Sequence, residues 1–104
     1  VSRRVPRQAR MFNTPTQIQV NVDDRNRRSV LELTAGDRPG LLSDIGKVLM
    51  EQHLQLHDAK IMTVGERAED VFYITDFEQR PLNAAAAQAL RERLTQALDR
   101  RRAA

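Results

Sequence analysis

The stretch Asp37-Arg38-Pro39-Gly40-Leu41-Leu42 carries the strongest chemical signal in the chain. An aliphatic, β-branched run, Val30-Leu31-Glu32-Leu33, enters it. Leu41, Leu42, Ile45, Val48 and Leu49 leave it at helical spacing. Gly36 is expected to take positive φ, and Pro39 presets φ for a first helical turn, where its missing N–H costs nothing. A strand-to-helix corner of this kind leaves backbone N–H groups of residues 39–43 free at a helix N-terminus. Free donors and the helix dipole together attract a carboxylate or phosphate. Asp58, further along, offers a carboxylate that could accept an ammonium group in a charge-assisted bond. Asp37 is a second acidic candidate whose other role would be a helix cap. Arg38 either contacts a partner or is solvated.

No enzyme constellation accompanies this corner. His53 and His57 are the only histidines. An i,i+4 pair on one helix could bind a metal, but these two straddle the change from helix to strand, and no carboxylate stands in metal-motif order. Gly36 to Gly40 lacks the Gly-Lys-Ser/Thr of a P-loop. Ser29 and Ser43 have no His and Asp in a recognisable order, and the acidic and Gly-Ser pairs of a nucleotidyltransferase centre are missing.

The 104 residues suffice for one domain. Hydrophobic content of 40% with 30% charged residues is ordinary for a soluble globule, and no apolar run is long enough to span a membrane. The absence of cysteine excludes disulfides and fits a reducing cytoplasm. The beginning, Val1-Ser2-Arg3-Arg4, suggests a piece of a longer protein. The net charge of +3 is concentrated at the ends, in Arg3, Arg4, Arg7 and Arg10 and in Arg100, Arg101 and Arg102. No aromatic residue interleaves these arginines, so solvated tails outweigh a nucleic-acid patch.

Residues 1–15 read as a linker with two apolar anchors, Met11 and Phe12. Residues 16–23 alternate as a half-buried strand, with Ile18, Val20 and Val22 on one side. A polar loop leads to a strand over 29–35, and a helix is expected over 39–53, with Leu42, Ile45, Val48 and Leu49 facing the sheet. Gly46 inside that helix implies either a close backbone approach or tolerance. A strand over 56–64 places His57, Ala59, Ile61 and Thr63 on one face; a turn at 65–69 and a strand over 70–77 follow. Asn83 caps a second helix over 84–101 whose stripe is Ala87, Leu90, Leu94, Ala97 and Leu98.

The corner Asp37–Leu42, followed by a helix and by His57-Asp58-Ala59-Lys60-Ile61, resembles the ACT domain, a small amino-acid-sensing module. The run Gly65-Glu66-Arg67-Ala68-Glu69-Asp70-Val71-Phe72-Tyr73-Ile74-Thr75-Asp76 is similar to the last ACT domain of bifunctional uridylyltransferase/uridylyl-removing enzymes acting on the PII nitrogen-signalling protein. The resemblance implies an α+β, ferredoxin-like fold over 16–101. It also implies that catalysis and its magnesium belong to other domains, with no cofactor here. ACT domains normally end in a strand that this chain lacks. A hairpin over 16–35 supplies an early strand for the same edge position, giving the expected antiparallel order 16–23, 29–35, 70–77, 56–64 with both helices on one face.

The resemblance further implies a regulatory ligand, glutamine, bridging Asp37, Arg38, Pro39, Gly40, Leu41 and Leu42 and a strand of a partner, where Asp58 stands in place of the Asn frequent in the family. The second sheet face, expected to show Val30, Glu32, Thr34, Met62, Val64, Phe72 and Ile74, would then need cover from a second copy or the preceding ACT domain. A ligand-free dimerisation or association module is the alternative reading.

Overall fold

The computed structural model describes residues 15–103. Strand β1 (Gln17–Asp23) turns through Asp24 to Arg27 into β2 (Arg28–Gly36), and helix α1 (Leu41–Glu51) follows. Strands β3 (Leu54–Lys60), β4 (Thr63–Val64) and β5 (Arg67–Asp76) precede helix α2 (Ala84–Ala103). The sheet order is β1-β2-β5-β3, with β4 also on β5 and every pair antiparallel. The early hairpin therefore takes the edge position expected of it. The expected linker with Met11 and Phe12, and the arginines at 3, 4, 7 and 10, lie outside the described residues up to Thr14.

Pairing sets the two faces. Leu31 stands opposite Phe72, Ala35 opposite Ala68 and Ser29 opposite Ile74, while Ile18 and Val20 oppose Leu33 and Leu31. Opposed residues share a face, and this one receives both helices: Leu41, Ile45, Val48 and Leu49 from α1, and Leu90, Leu94 and Leu98 from α2. The assignment of Phe72 and Ile74 to the open face is thereby corrected. Both are buried, and that face instead presents Val30, Glu32, Thr34, Glu69, Val71 and Tyr73, with the Arg28 guanidinium 4.1 Å from the Tyr73 ring centroid. It is mixed rather than apolar.

Three other expectations change. Leu42 is 48% exposed and Leu41 is buried in its place, because the stripe that packs on the sheet is Leu41, Ile45, Val48 and Leu49; α1 begins at Leu41 rather than Pro39. The strand expected over 56–64 starts earlier, at the buried Leu54, and is interrupted. His57 is the extra residue of a bulge between Leu56 and Asp58, which resets the alternation. Finally, the 65–69 turn contracts to Gly65 and Glu66 between Val64 and Arg67, with Gly65 at φ 62 at the first central position, where a tight hairpin needs it.

The ends of α2 and the interior of α1 follow local rules. Asn83 Oδ1 accepts the Ala86 N–H at 2.8 Å, and the fully buried Ser29 Oγ accepts the Leu82 N–H at 2.9 Å, tying the approach of α2 to β2. A Cβ built on Gly46 meets nothing within 4 Å, which leaves tolerance, not close packing, as the account of this glycine. Asn83→Ala is expected to destabilise the domain by about 1 kcal/mol through loss of the cap. Gly46→Ala is expected to stabilise it by roughly 0.5–1 kcal/mol. Urea unfolding of the two variants checks the opposite signs.

Candidate functional site

The corner between β2 and α1 opens onto a cavity of about 300 Å³, lined by Asp37, Arg38, Gly40, Leu41, Leu42 and Ser43 on one side and by Ile61, Thr63, Ala68 and Asp70 on the other. That volume is at the small end for small-molecule sites. Gly40, at φ 84, is the residue that turns the chain into the helix; Gly36 stays in β2, opposite Arg67. A left-handed residue immediately before α1 aims the first-turn amides away from the strand. The Leu41 N–H closes on the Arg38 carbonyl at 3.3 Å, and the Asp44 N–H on that of Gly40 at 2.9 Å. The N–H groups of Leu42 and Ser43 are the first-turn donors left for an outside acceptor. Asp37 does not cap α1, whose N-cap is Gly40 with no side-chain bond; the Asp37 N–H donates to the Glu66 carbonyl at 2.9 Å.

Arg38 is paired within the domain. Its guanidinium folds back on the Asp44 carboxylate at 2.9 Å and donates to the Pro39 carbonyl at 3.2 Å. The pair is mostly buried on both sides. It neutralises a cation that would oppose the positive end of the helix dipole.

Asp70 is the residue that sequence reasoning missed. Its place opposite Leu33 puts it on the buried face of β5, and it is 2% exposed. Oδ1 accepts the Met62 N–H at 3.2 Å, fixing the interruption between β3 and β4, whereas Oδ2 is buried without a hydrogen-bond partner. Burial pushes the Asp70 carboxyl up from its ordinary value, the Met62 bond opposes this, and the negative Asp37 nearby adds to the rise. The signal was present in the alternation Ala68, Asp70, Phe72, Ile74, but reading it requires knowing which parity faces the helices.

Asp58 lies apart from the cavity. It is exposed on β3 opposite Tyr73, and its Oδ1 accepts the Ala59 N–H at 2.8 Å. His57 Nε2 is 2.7 Å from Thr75 Oγ1, whose own proton goes to the Asp76 carbonyl, so the imidazole is the donor. His53, at φ 58, ends α1 and stacks edge-on against Phe77, so the two histidines share no helix. Among the described residues no group of three His, Cys, Asp or Glu could hold a metal ion. A second concavity of about 470 Å³ gathers Arg27, Arg28, Arg80 and His57. Arg28 is paired with Asp23, and Arg80 with Asp76 and Glu78, which offsets most of its charge.

A strand-glycine-helix corner with open amides, inside an antiparallel sheet covered on one face by two helices, is matched by the family model described as ACT domain, over residues 29–99. The chain belongs to the ACT domain family. It is 52% identical over 94 residues to the bifunctional uridylyltransferase/uridylyl-removing enzyme of Methylococcus capsulatus, which covers 90% of this chain. It is 50% identical over 97 residues, 93% of the chain, to the enzyme of that name from Xanthomonas euvesicatoria pv. vesicatoria. The relative from Xanthomonas campestris pv. campestris strain B100 is 52% identical over the same length. In each case this ACT domain spans about 11% of the relative's length. No helix among the described residues is long and apolar enough to cross a membrane.

A carboxyl whose folded pKa lies above its unfolded value binds its proton more tightly in the fold. Its stabilising contribution is therefore complete below about 3.8 and is lost as pH rises through the folded value. Asp70→Asn is expected to match the wild type in acid and to exceed it near neutral pH by on the order of 1 kcal/mol. Paired urea titrations across pH check this difference.

Proposed function

We propose that this ACT domain binds a free amino acid and regulates a larger enzyme of which it forms a part. The observation that carries the reading is the cavity at the β2–α1 corner, whose lining combines Leu42 and Ser43, with their open amides, and the carboxylates Asp37 and, on the opposite side, Asp70. Donors at one side and carboxylates at the other complement a zwitterion. Likeness to uridylyltransferase/uridylyl-removing enzymes supports glutamine as the ligand, PII as the macromolecular substrate of the parent, control of nitrogen metabolism as the setting and the cytoplasm as the place. The ligand residues in this reading are Asp37, Arg38, Pro39, Gly40, Leu41 and Leu42, with Asp58 of a neighbouring domain as a further contact. Control works by linkage: glutamine binds one arrangement of paired domains more tightly and biases the catalytic domains toward uridylyl removal.

One observation favours the alternative, an association module without ligand. Leu56, Ile61, Met62 and Val64 are each about half exposed along the β3–β4 edge. Edges of this kind pair with other chains unless they are covered. A second copy or the preceding domain would find its apolar contact here rather than on the open sheet face.

The two readings separate at Gly40. Titration calorimetry of the full-length protein with L-glutamine is expected to give saturable heat. Gly40→Val, which places a β-branched residue at positive φ, is expected to weaken binding by at least about tenfold. No heat at millimolar glutamine overturns glutamine as the ligand; regulation that survives Gly40→Val while Met62→Lys abolishes association supports the alternative.

A further inference from the structure

We infer that Asp70 is the residue that makes an amine obligatory in the ligand: its buried carboxylate accepts the ammonium of a zwitterion whose carboxylate rests on the Leu42 and Ser43 amides. The inference rests on the amino-acid reading above and names the group that enforces it.

The position of Asp70 has no packing rationale. Its row on β5 is otherwise Ala68, Phe72 and Ile74, and across from it stands Leu33. An apolar side chain would fill this place without leaving a carboxylate oxygen unpaired. Several exposed or half-buried acids of the domain hold cations: Asp23 holds Arg28, Asp44 holds Arg38, Glu69 holds Arg67, Asp76 holds Arg80 and Glu51 holds Arg93. Asp70 holds only the Met62 N–H, through one oxygen. Arg38, the cation on the opposite side of the cavity, is committed to Asp44. A cation for Asp70 must come from the ligand.

The arrangement also rejects the wrong ligands. An organic acid lacking the amine could reach the helix amides, but it would leave Asp70 Oδ2 unpaired and add its charge to those of Asp37 and Asp70. An amine lacking the carboxylate would leave the two amides unused. Oδ2 is closed off from solvent, so the ammonium reaches it only with a small adjustment of the cavity lining. The burial that makes Oδ2 costly in the empty domain is what strengthens its bond to an ammonium in the filled one.

The test is a two-by-two comparison on the intact chain. Wild type and Asp70→Asn are each titrated with the common L-amino acids, glutamine first, and with the deamino analogue of whichever binds; for glutamine this is glutaramic acid. Asp70→Asn keeps an oxygen for the Met62 N–H, so the fold is retained, and its unfolding midpoint is measured alongside. The wild type is expected to prefer the amino acid over its deamino analogue by roughly a hundredfold. The variant is expected to lose that preference through weaker amino-acid binding while being at least as stable. A variant that binds the amino acid as the wild type does, or that keeps the hundredfold preference, overturns the assignment of Asp70 and leaves the amino-acid reading standing. A wild type that binds none of the amino acids overturns both.

Discussion

The register of β2 against β5 is the constraint on which the rest of this domain depends. Setting Leu31 opposite Phe72 assigns every second residue of the two central strands to the helix-covered face. A slip of β5 by one residue would expose Phe72 and Ile74 and bury Val71 and Tyr73. The fully buried Leu31, Ile74, Leu90 and Leu94 show how much apolar area rides on that register. The same register carries Asp70 inward with its apolar neighbours. The charge in the core follows from the pairing that builds the core.

The corner after β2 depends on a second, local constraint. The chain must leave the sheet edge and enter α1 within four residues, Asp37 to Gly40, and the left-handed backbone at Gly40 makes the turn. Because that turn also ends helix capping by side chains, the amides of the first turn stay open. Arg38 then folds onto Asp44, which keeps the guanidinium from occupying the space those amides face. Asp70 anchors the far wall by holding the Met62 N–H, so the break between β3 and β4 and the shape of the cavity have one cause.

The cavity wall carries a cost in stability. An unpaired buried oxygen opposes folding, and the domain tolerates it because the sheet, the two helices and the Ser29–Leu82 tie stabilise the surrounding structure independently. The exposed apolar side chains at Ile61, Met62 and Val64 lie beside that wall.

Much of this domain was legible in its residues because the relevant signals are local. Alternation at Ile18, Val20 and Val22, the helical stripe through Leu90, Leu94 and Leu98, the cap at Asn83 and the Pro39-Gly40 corner act within a few residues, and the hairpin followed from a short polar loop. The sequence by itself determined the elements, their order and the place of a ligand-sized corner. What only the tertiary structure decided was parity: which side of β5 met the helices, where the bulge at His57 reset the alternation of β3, and hence that Asp70 stands at the cavity. The reason is that a strand's two faces are equivalent until another element covers one of them, and that choice rests on pairings between residues more than thirty positions apart, such as Leu31 with Phe72.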